Sequence, residues 1–316
     1  MRKLIIAALC ALSVCPFAAA KKQKAPAQKP VGEFNLSTYN IRLPAGSDSV
    51  QGNGWGRRLP YVAGLVRFHE FDIFGTQEGV RHQLDSLKAR LPRYEYIGVG
   101  RDDGAAGGEH AAIFYNTDIF ELVNHGDFWL SETPDVPSFG WDAACRRVCT
   151  WGHFRHKASG REFVHFNLHM DHIGRTARVE SVELIKRKID ELGVKGLPVF
   201  LTGDFNIDQN NPCIKGISAS GVFKDAHDAA AIVYEPNGTF NAFNPQGFTA
   251  SRLDHIFVSP EVEVCKFGVL TDSYRTLSNE MEPADFSDSF RVNVASYTPR
   301  LPSDHFPVMV KVRLKD

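Results

Sequence analysis

Six short apolar segments of strand character in this chain end, or begin, in side chains that can do chemistry. The clearest is LTGDFNIDQNNPCIKGI, residues 201–217, where the run Leu197, Val199, Phe200 and Leu201 stops at Gly203, Asp204 and Asn206. Taken alone it is either an Asx-type turn after a buried strand or part of a site. The other five place Asn40 in STYNIR, Glu78 in DIFGTQEG, His169, Asp171 and His172 in FNLHMDH, Asp254 in SRLDHIFVS, and Asp304 and His305 in LPSDHFPV. A single Asn or His of this kind is ordinarily a hydrogen-bonded core or turn residue. Six polar strand ends call instead for a fold that gathers strand ends at one place.

The remaining pattern says which elements are available. Apolar alternation predicts strands over 34–42, 94–99, 111–115, 120–130, 149–156, 162–169, 253–258, 262–270 and 306–312, and a buried strand over 71–76. Helical spacing predicts helices over 57–70, 81–91 and 175–192, the last with Val179, Val182, Ile185, Ile189 and Leu192 on one side and Gly193 at its end. Two sheets packed face to face with helices outside fit this mixture better than a regular parallel sheet. No internal repeat divides the chain, so residues 32–316 are predicted to be one domain. Residues 272–302, with Pro283, Pro299 and Pro302, are predicted to be a long surface loop near the site.

The first 20 residues have a different character. Arg2 and Lys3, an apolar run from Leu4 to Val14, and Ala18-Ala19-Ala20 before Lys21 have the order of a secretory signal peptide and are short for a membrane span. Export to the periplasm or beyond is expected, with residues 21–31 as a flexible leader. A lipid anchor on Cys15 is the alternative, although Val14 is large for the preceding position. Cys145, Cys149, Cys213 and Cys265 lack paired zinc-site spacing and are expected to be mostly buried thiols. The formal net charge is −1, and the first 30 residues hold six of the basic side chains and no acid, so the body carries −7. Such a body is not that of a tight non-specific polyanion binder, which leaves nucleic acid possible but not favoured. No transmembrane segment and no obligate protein partner are evident.

Carboxylate and amide oxygens without thiolates suit a hard cation such as Mg²⁺, or Mn²⁺ as a substitute. Such an ion beside histidines is what hydrolysis of a phosphoester by in-line attack of water requires. The motifs TYNIR, GTQE, NLHMDH, TGDFN, RLDHIFVS and SDHFPV, in this order, resemble those of the endonuclease/exonuclease/phosphatase superfamily, whose members include deoxyribonucleases, sphingomyelinases and inositol polyphosphate phosphatases. Stretches such as GVGRDDG and DFWLSETPD are similar to secreted Bacteroidetes-type members. The resemblance implies an α/β fold, a four-layered α/β/β/α sandwich with two packed mixed β-sheets and helices outside. It also implies roles: Glu78 as principal metal ligand with Asn40 beside it and Asp304 completing the site, and Asp204 and Asn206 holding or deprotonating water. His305 would pair with Asp254, and His169 would serve the leaving oxygen.

One departure concerns Arg42. Abasic-site members carry an acidic metal ligand at that position, two residues after the Asn, which argues here against that branch and against a second tightly held metal. Substrate selection is expected from loops. Arg101 in GRDDGAAGGEH and Arg147 in AACRRVCTW are candidate phosphate contacts, and Asp171 and His172 candidate pocket walls. Trp55, Trp129, Trp141 and Trp151 are candidates for stacking, or else packing residues. A sphingomyelinase-like lipid headgroup phosphodiesterase is the rival enzyme, and a non-catalytic phosphate-ligand binding module the rival of another class.

Overall fold

The structure is a computed structural model and describes residues 32–194, 196–277 and 297–314. The predicted signal peptide, leader and Cys15 lie outside these residues. Two mixed sheets form the frame. The first runs, edge to edge, β12 (Ile232–Tyr234), β14 (Glu263–Val269), β17 (Val308–Arg313), β1 (Glu33–Asn40), β2 (Ile73–Gln77), β6 (Ile113–Asn116) and β4 (Tyr94–Ile97). The second runs β11 (Lys224–Asp225), β13 (Asp254–Val258), β10 (Val199–Asp204), β9 (Glu162–His169), β8 (Val148–His156) and β7 (Phe120–Trp129). Within them β1 and β2, β9 and β10, and β12 and β14 are parallel pairs. Two small ribbons, β3 (Gly79–Val80) with β5 (Glu109–His110) and β15 (Tyr274–Leu277) with β16 (Tyr297–Arg300), stand apart.

The layers follow from which side chains are apolar. Between the sheets lies a core with Phe34, Phe120, Phe154, Phe163 and Phe200 in edge and stacked contact. Outside the first sheet, α2 (Trp55–Phe68) and α3 (Arg81–Arg90) close a second core around Phe74 and Phe114. Outside the second, α4 (Arg175–Glu191) and α5 (Pro212–Ala219) cover Phe166, Leu201 and Phe257. Short helices α1 (Gly46–Val50) and α6 (Ala226–Ala229) belong to connections. This is the predicted four-layered sandwich. Central strands β1 and β10 are buried along their whole length because each is covered on both faces.

Several expectations shift in detail. Val179 is exposed, and α4 buries Ala177, Arg178, Ser181, Val182, Ile185 and Ile189 instead. A spacing of three drifts about 60° per step against a 3.6-residue turn, so the stripe centres on Arg178 and not on Val179. The predicted loop 272–302 has ends that pair as β15 and β16, while residues 278–296 lie outside the described ones. Of the four cysteines only Cys149 is fully buried; Cys145, Cys213 and Cys265 are half-buried, and all four are free thiols.

Candidate active site

The strands that carry the motifs are neighbours in the frame. Asn40 closes β1, Glu78 follows β2, His169 closes β9, and Asp204 closes β10, all at carboxyl ends of parallel pairs. Asp254 pairs directly with Asp204 across the antiparallel step from β13 to β10. Arg42, Glu78 and Asn206, each just past a strand end, have φ of 60°, 63° and 55°. Left-handed backbone in non-glycine residues costs energy and concentrates at functional sites; here it turns three side chains into one cleft of about 650 Å³. Gly203 answers a different need, since a Cβ there would lie 2.2 Å from the carbonyl oxygen of Leu168. Only glycine lets β9 approach β10 so closely at the point where both deliver their site residues.

Asp204 is the hub. Its Oδ2 lies 3.6 Å from His169 Nε2 and 3.7 Å from His305 Nε2, and accepts a hydrogen bond from Asn40 Nδ2 at 3.1 Å, while Oδ1 accepts from Asn206 N at 2.8 Å. Burial, with the neighbouring charge of Asp254, pushes its carboxyl up to about 7. The two imidazoles differ in charge. Burial works to strip His305 of its proton, but the charges of Asp254 and Asp204 and the 2.8 Å bond from Nδ1 to Asp254 Oδ2 hold it well above the ordinary histidine value. Burial and the nearby Arg147 and Arg101 press His169 well below that value, so it is neutral. Asn206 Nδ2 donates to the Met170 carbonyl at 2.9 Å and to His169 Nε2 at 3.0 Å. The His169 proton therefore sits on Nδ1, 3.7 Å from Glu109 Oε2.

Glu78 stands beside this hub. Its Oε1 accepts from Asn40 Nδ2 at 3.0 Å and its Oε2 from Leu43 N at 3.0 Å. Asn40 Oδ1 is taken by Arg42 N at 3.0 Å, so the amide faces the carboxylates with its donors. Asn40 thus ties Glu78 to Asp204, which differs from the oxygen ligand expected of it. Burial, then the Glu78 charge, raises the Asp304 carboxyl. The Arg42 guanidinium lies 2.9 Å from Asp48, 3.5 Å from Asp304 and 3.7 Å from Glu78, so the predicted absence of an acid at this position is filled by a cation.

A hard divalent ion fits this surrounding. Glu78, Asp204, Asp254 and Asp304 bring four carboxylates together, and the acids Asp204 and Asp304 are shifted toward the neutral form that excess negative charge favours. Donor atoms of Asp204, Asp254 and His305 lie within 4.8 Å of one another. Because the Asp254–His305 hydrogen bond uses two of those three, Glu78, which lines the cleft near Asp304, is the carboxylate better placed to hold an ion.

The far wall carries the predicted arginines. Arg101 Nη1 bonds Glu109 Oε2 at 2.8 Å, and Arg147, buried, reaches His172 Nδ1 at 3.1 Å and Asp171 at 3.5 Å. Both line the cleft with His172, and Arg101 Nε and Arg147 Nη1 are buried donors without a partner. Asp171 does not line the cleft. Burial works to raise its carboxyl, yet hydrogen bonds from Gly174 N and Ile173 N at 2.7 and 2.9 Å and the Arg147 charge hold it below the usual range. It orients Arg147 from behind. Arg58 is the residue sequence reasoning missed, and Glu109 is one it saw only as a charged residue of the glycine-rich loop, not as part of the site. Arg58 is fully buried on α2 and donates to the carbonyls of Asn53, Ile41, Pro302 and Arg42, pinning the ends of the two motif segments. No periodicity distinguishes such an arginine from an exposed one. Of the tryptophans, Trp55, Trp129 and Trp151 are buried packing residues, and none of the four lines the cleft.

Sheets back to back, with two histidines and clustered carboxylates at their strand ends, define a hydrolase of the phosphoesterase class. The chain belongs to the Endonuclease/Exonuclease/phosphatase family, whose pattern matches residues 37–305. A solved mannosyl-6-phosphatase of Bacteroides thetaiotaomicron VPI-5482 is 53% identical, with a TM-score of 0.82 over 88% of this chain and 99% of that one. A family member from Bacteroides vulgatus is 36% identical, with a TM-score of 0.76 over 90% and 99%. The human Nocturnin catalytic domain, at 18% identity and TM-score 0.62 over 90% and 94%, shares the fold. Among curated proteins, an uncharacterised protein of Acanthamoeba polyphaga mimivirus is 29% identical over 163 residues, 49% of this chain and 60% of that protein.

Proposed function

We propose that this phosphoesterase is a divalent-metal-dependent hydrolase of sugar phosphate monoesters, acting outside the cytoplasm after export. The observation that carries the reaction is Asp204, with an imidazole on either side of one carboxylate oxygen at 3.6 and 3.7 Å. When bound at Glu78, Mg²⁺ or Mn²⁺ would neutralise charge on the phosphoryl oxygens and leave Asp204 free to act as a base. Asp204, pushed up to about 7, has the proton affinity to take a proton from the attacking water. As the water oxygen bonds to phosphorus, the ester P–O bond breaks, and His305 Nε2 is the group with a proton to give to the leaving oxygen. His169 is neutral with an accepting Nε2, so it orients rather than protonates, which differs from the role expected of it. The guanidinium groups of Arg101 and Arg147, on the cleft wall, suit non-bridging phosphoryl oxygens.

Support for a sugar ester comes from the 53% identical relative, which is a mannosyl-6-phosphatase. Support against a polyanionic strand comes from the body charge of −7 carried by the chain beyond its first 30 residues. The test is hydrolysis of mannose 6-phosphate, bis-p-nitrophenyl phosphate, sphingomyelin, RNA and DNA by the purified protein, with Mg²⁺ and with a chelator, beside Asp204→Asn. Metal-dependent release of phosphate from the monoester alone, lost in Asp204→Asn, is the expected result. Preferential cleavage of a diester would replace this reading.

A further inference from the structure

The two ends of the cleft are chemically unlike. One holds Arg101, Arg147 and His172. The other holds Arg42, Asp48, Gln51, Phe240 and Phe243, with Arg42 beside Asp304 and Phe240 beside His305. Asp304 lies 3.5 Å from Arg42 by its carboxylate, and its carbonyl accepts from Asn241 N at 2.8 Å and Ala242 N at 3.2 Å.

The segment carrying the two phenylalanines is held in costly form. Ala242 and Phe243 have φ of 52° and 57°, in a region that non-glycine residues seldom occupy. Asn241 Oδ1 accepts from Phe243 N at 2.8 Å, and Phe240 pairs with His305 in an isolated bridge. The result is a phenylalanine ring left 42% exposed at the cleft, edge-on to His305 with centroids 5.1 Å apart. What sets this ring apart from other exposed apolar side chains is its place in the cleft beside His305, where its face is open to the apolar side of a ligand. Phe243 is engaged differently, since the Arg58 guanidinium stands 5.5 Å from its ring centroid. One aromatic face is on offer, not a sandwich.

We infer that Phe240, with Arg42, Asp48 and Gln51 of the same cleft, forms the leaving-group subsite and takes a pyranose ring; this rests on the monoester reading above. A pyranose presents C–H bonds on its faces, which suit the negative face of an aromatic ring. Its rim of hydroxyls needs donors and acceptors together, and a guanidinium, a carboxylate and an amide supply both. With its sugar there, the phosphoryl group points toward Arg101 and Arg147, and the ester oxygen lies by His305.

The experiment compares kcat and KM of the unmutated protein, Phe240→Ala, Phe240→Trp and Gln51→Ala on mannose 6-phosphate, methyl phosphate and adenosine monophosphate. Circular dichroism checks each fold, and Gln51→Ala carries the test should Phe240→Ala fail to fold. Beyond any change on methyl phosphate, Phe240→Ala is expected to raise KM for mannose 6-phosphate about five- to tenfold, and Phe240→Trp to restore it. Saturation-transfer NMR with metal chelated should mark the ring C–H protons of mannose 6-phosphate on the unmutated protein and not on Phe240→Ala. Equal losses on the sugar ester and methyl phosphate would overturn the subsite while leaving the monoester reading intact. A loss confined to adenosine monophosphate would make Phe240 a base platform and overturn the sugar assignment. An unmutated protein that turns over no monoester defeats the monoester reading, and the subsite with it.

Discussion

His305 Nδ1 donates a 2.8 Å hydrogen bond to Asp254 Oδ2, and this bond joins the segment leading into β17 of one sheet to the first residue of β13 in the other. The ion pair is both a clasp between layers and the reason the imidazole stays charged.

Replacing Asp254 by Asn removes the charge that opposes the burial cost of the imidazolium. His305 then falls toward the neutral form, and kcat is expected to drop about 10²–10⁴-fold. NMR titration of the His305 ring reads the cause directly. An unmoved ring titration beside a large loss of rate would show that Asp254 acts in some other way.

Metal binding is separable from turnover. Calorimetry with Mg²⁺ or Mn²⁺ should show binding that Glu78→Gln weakens strongly. At a metal concentration about 100 times Kd, the unmutated protein should gain about 2.7 kcal/mol of stability, read as a rise in Tm that a chelator reverses. Full binding by Glu78→Gln would move the ion elsewhere in the carboxylate cluster.

Beneath the cleft, Asn167 sews the two sheets together. Its Nδ2 donates to the carbonyls of Thr76 and Ala112, both at 3.0 Å, and its Oδ1 accepts from Gln77 at 2.8 Å and Thr202 at 3.1 Å. A Cβ on Gly75 would stand 2.1 Å from Asn167 Oδ1. Gly75→Ala is therefore expected to cost about 1–3 kcal/mol by overpacking. Asn167→Ala should cost about 1–3 kcal/mol for each buried group it leaves unpaired. Urea unfolding measures both, and a neutral Gly75→Ala would mean that the sheets can part without penalty.

Stability should decline in mild acid through His165. This fully buried ring, 2.8 Å from Thr202 Oγ1, has its pKa lowered to about 3 by burial. Unfolded, it takes up a proton near pH 6.5, so between those values the unfolded state binds more protons. The contribution is complete above about pH 6.5 and is lost as pH falls, by about 1.4 kcal/mol per pH unit. Denaturation at pH 7 and pH 5 should show a loss of about 2 kcal/mol that shrinks in His165→Gln. The same loss in both proteins would assign the acid sensitivity to other groups.

The layers were legible because strand and helix periods mark which face of each element is apolar, and the site was legible because each motif closes or opens a strand. Less readable were side chains whose role depends on a distant partner. Glu109 lies in a glycine-rich loop and becomes a site residue only because its ribbon brings it 3.7 Å from His169. Val179 fits the helical stripe by spacing, yet the packed face of α4 centres one residue earlier, on Arg178.

Sequence by itself determined most elements of the frame and the set of reactive groups, since strand and helix periods, motif order along the chain and the carboxylate and imidazole chemistry are all properties of local residue patterns. Tertiary structure alone decided how those groups are used. It turned the amide of Asn40 so that donors, not an oxygen, face Glu78 and Asp204. It gave His305 a proton and took one from His169, placed Asp171 behind Arg147, and set Arg42 among three carboxylates. The physical reason is that charge state and hydrogen-bond direction depend on burial and on neighbours far away in the chain, and no local pattern of residues encodes either.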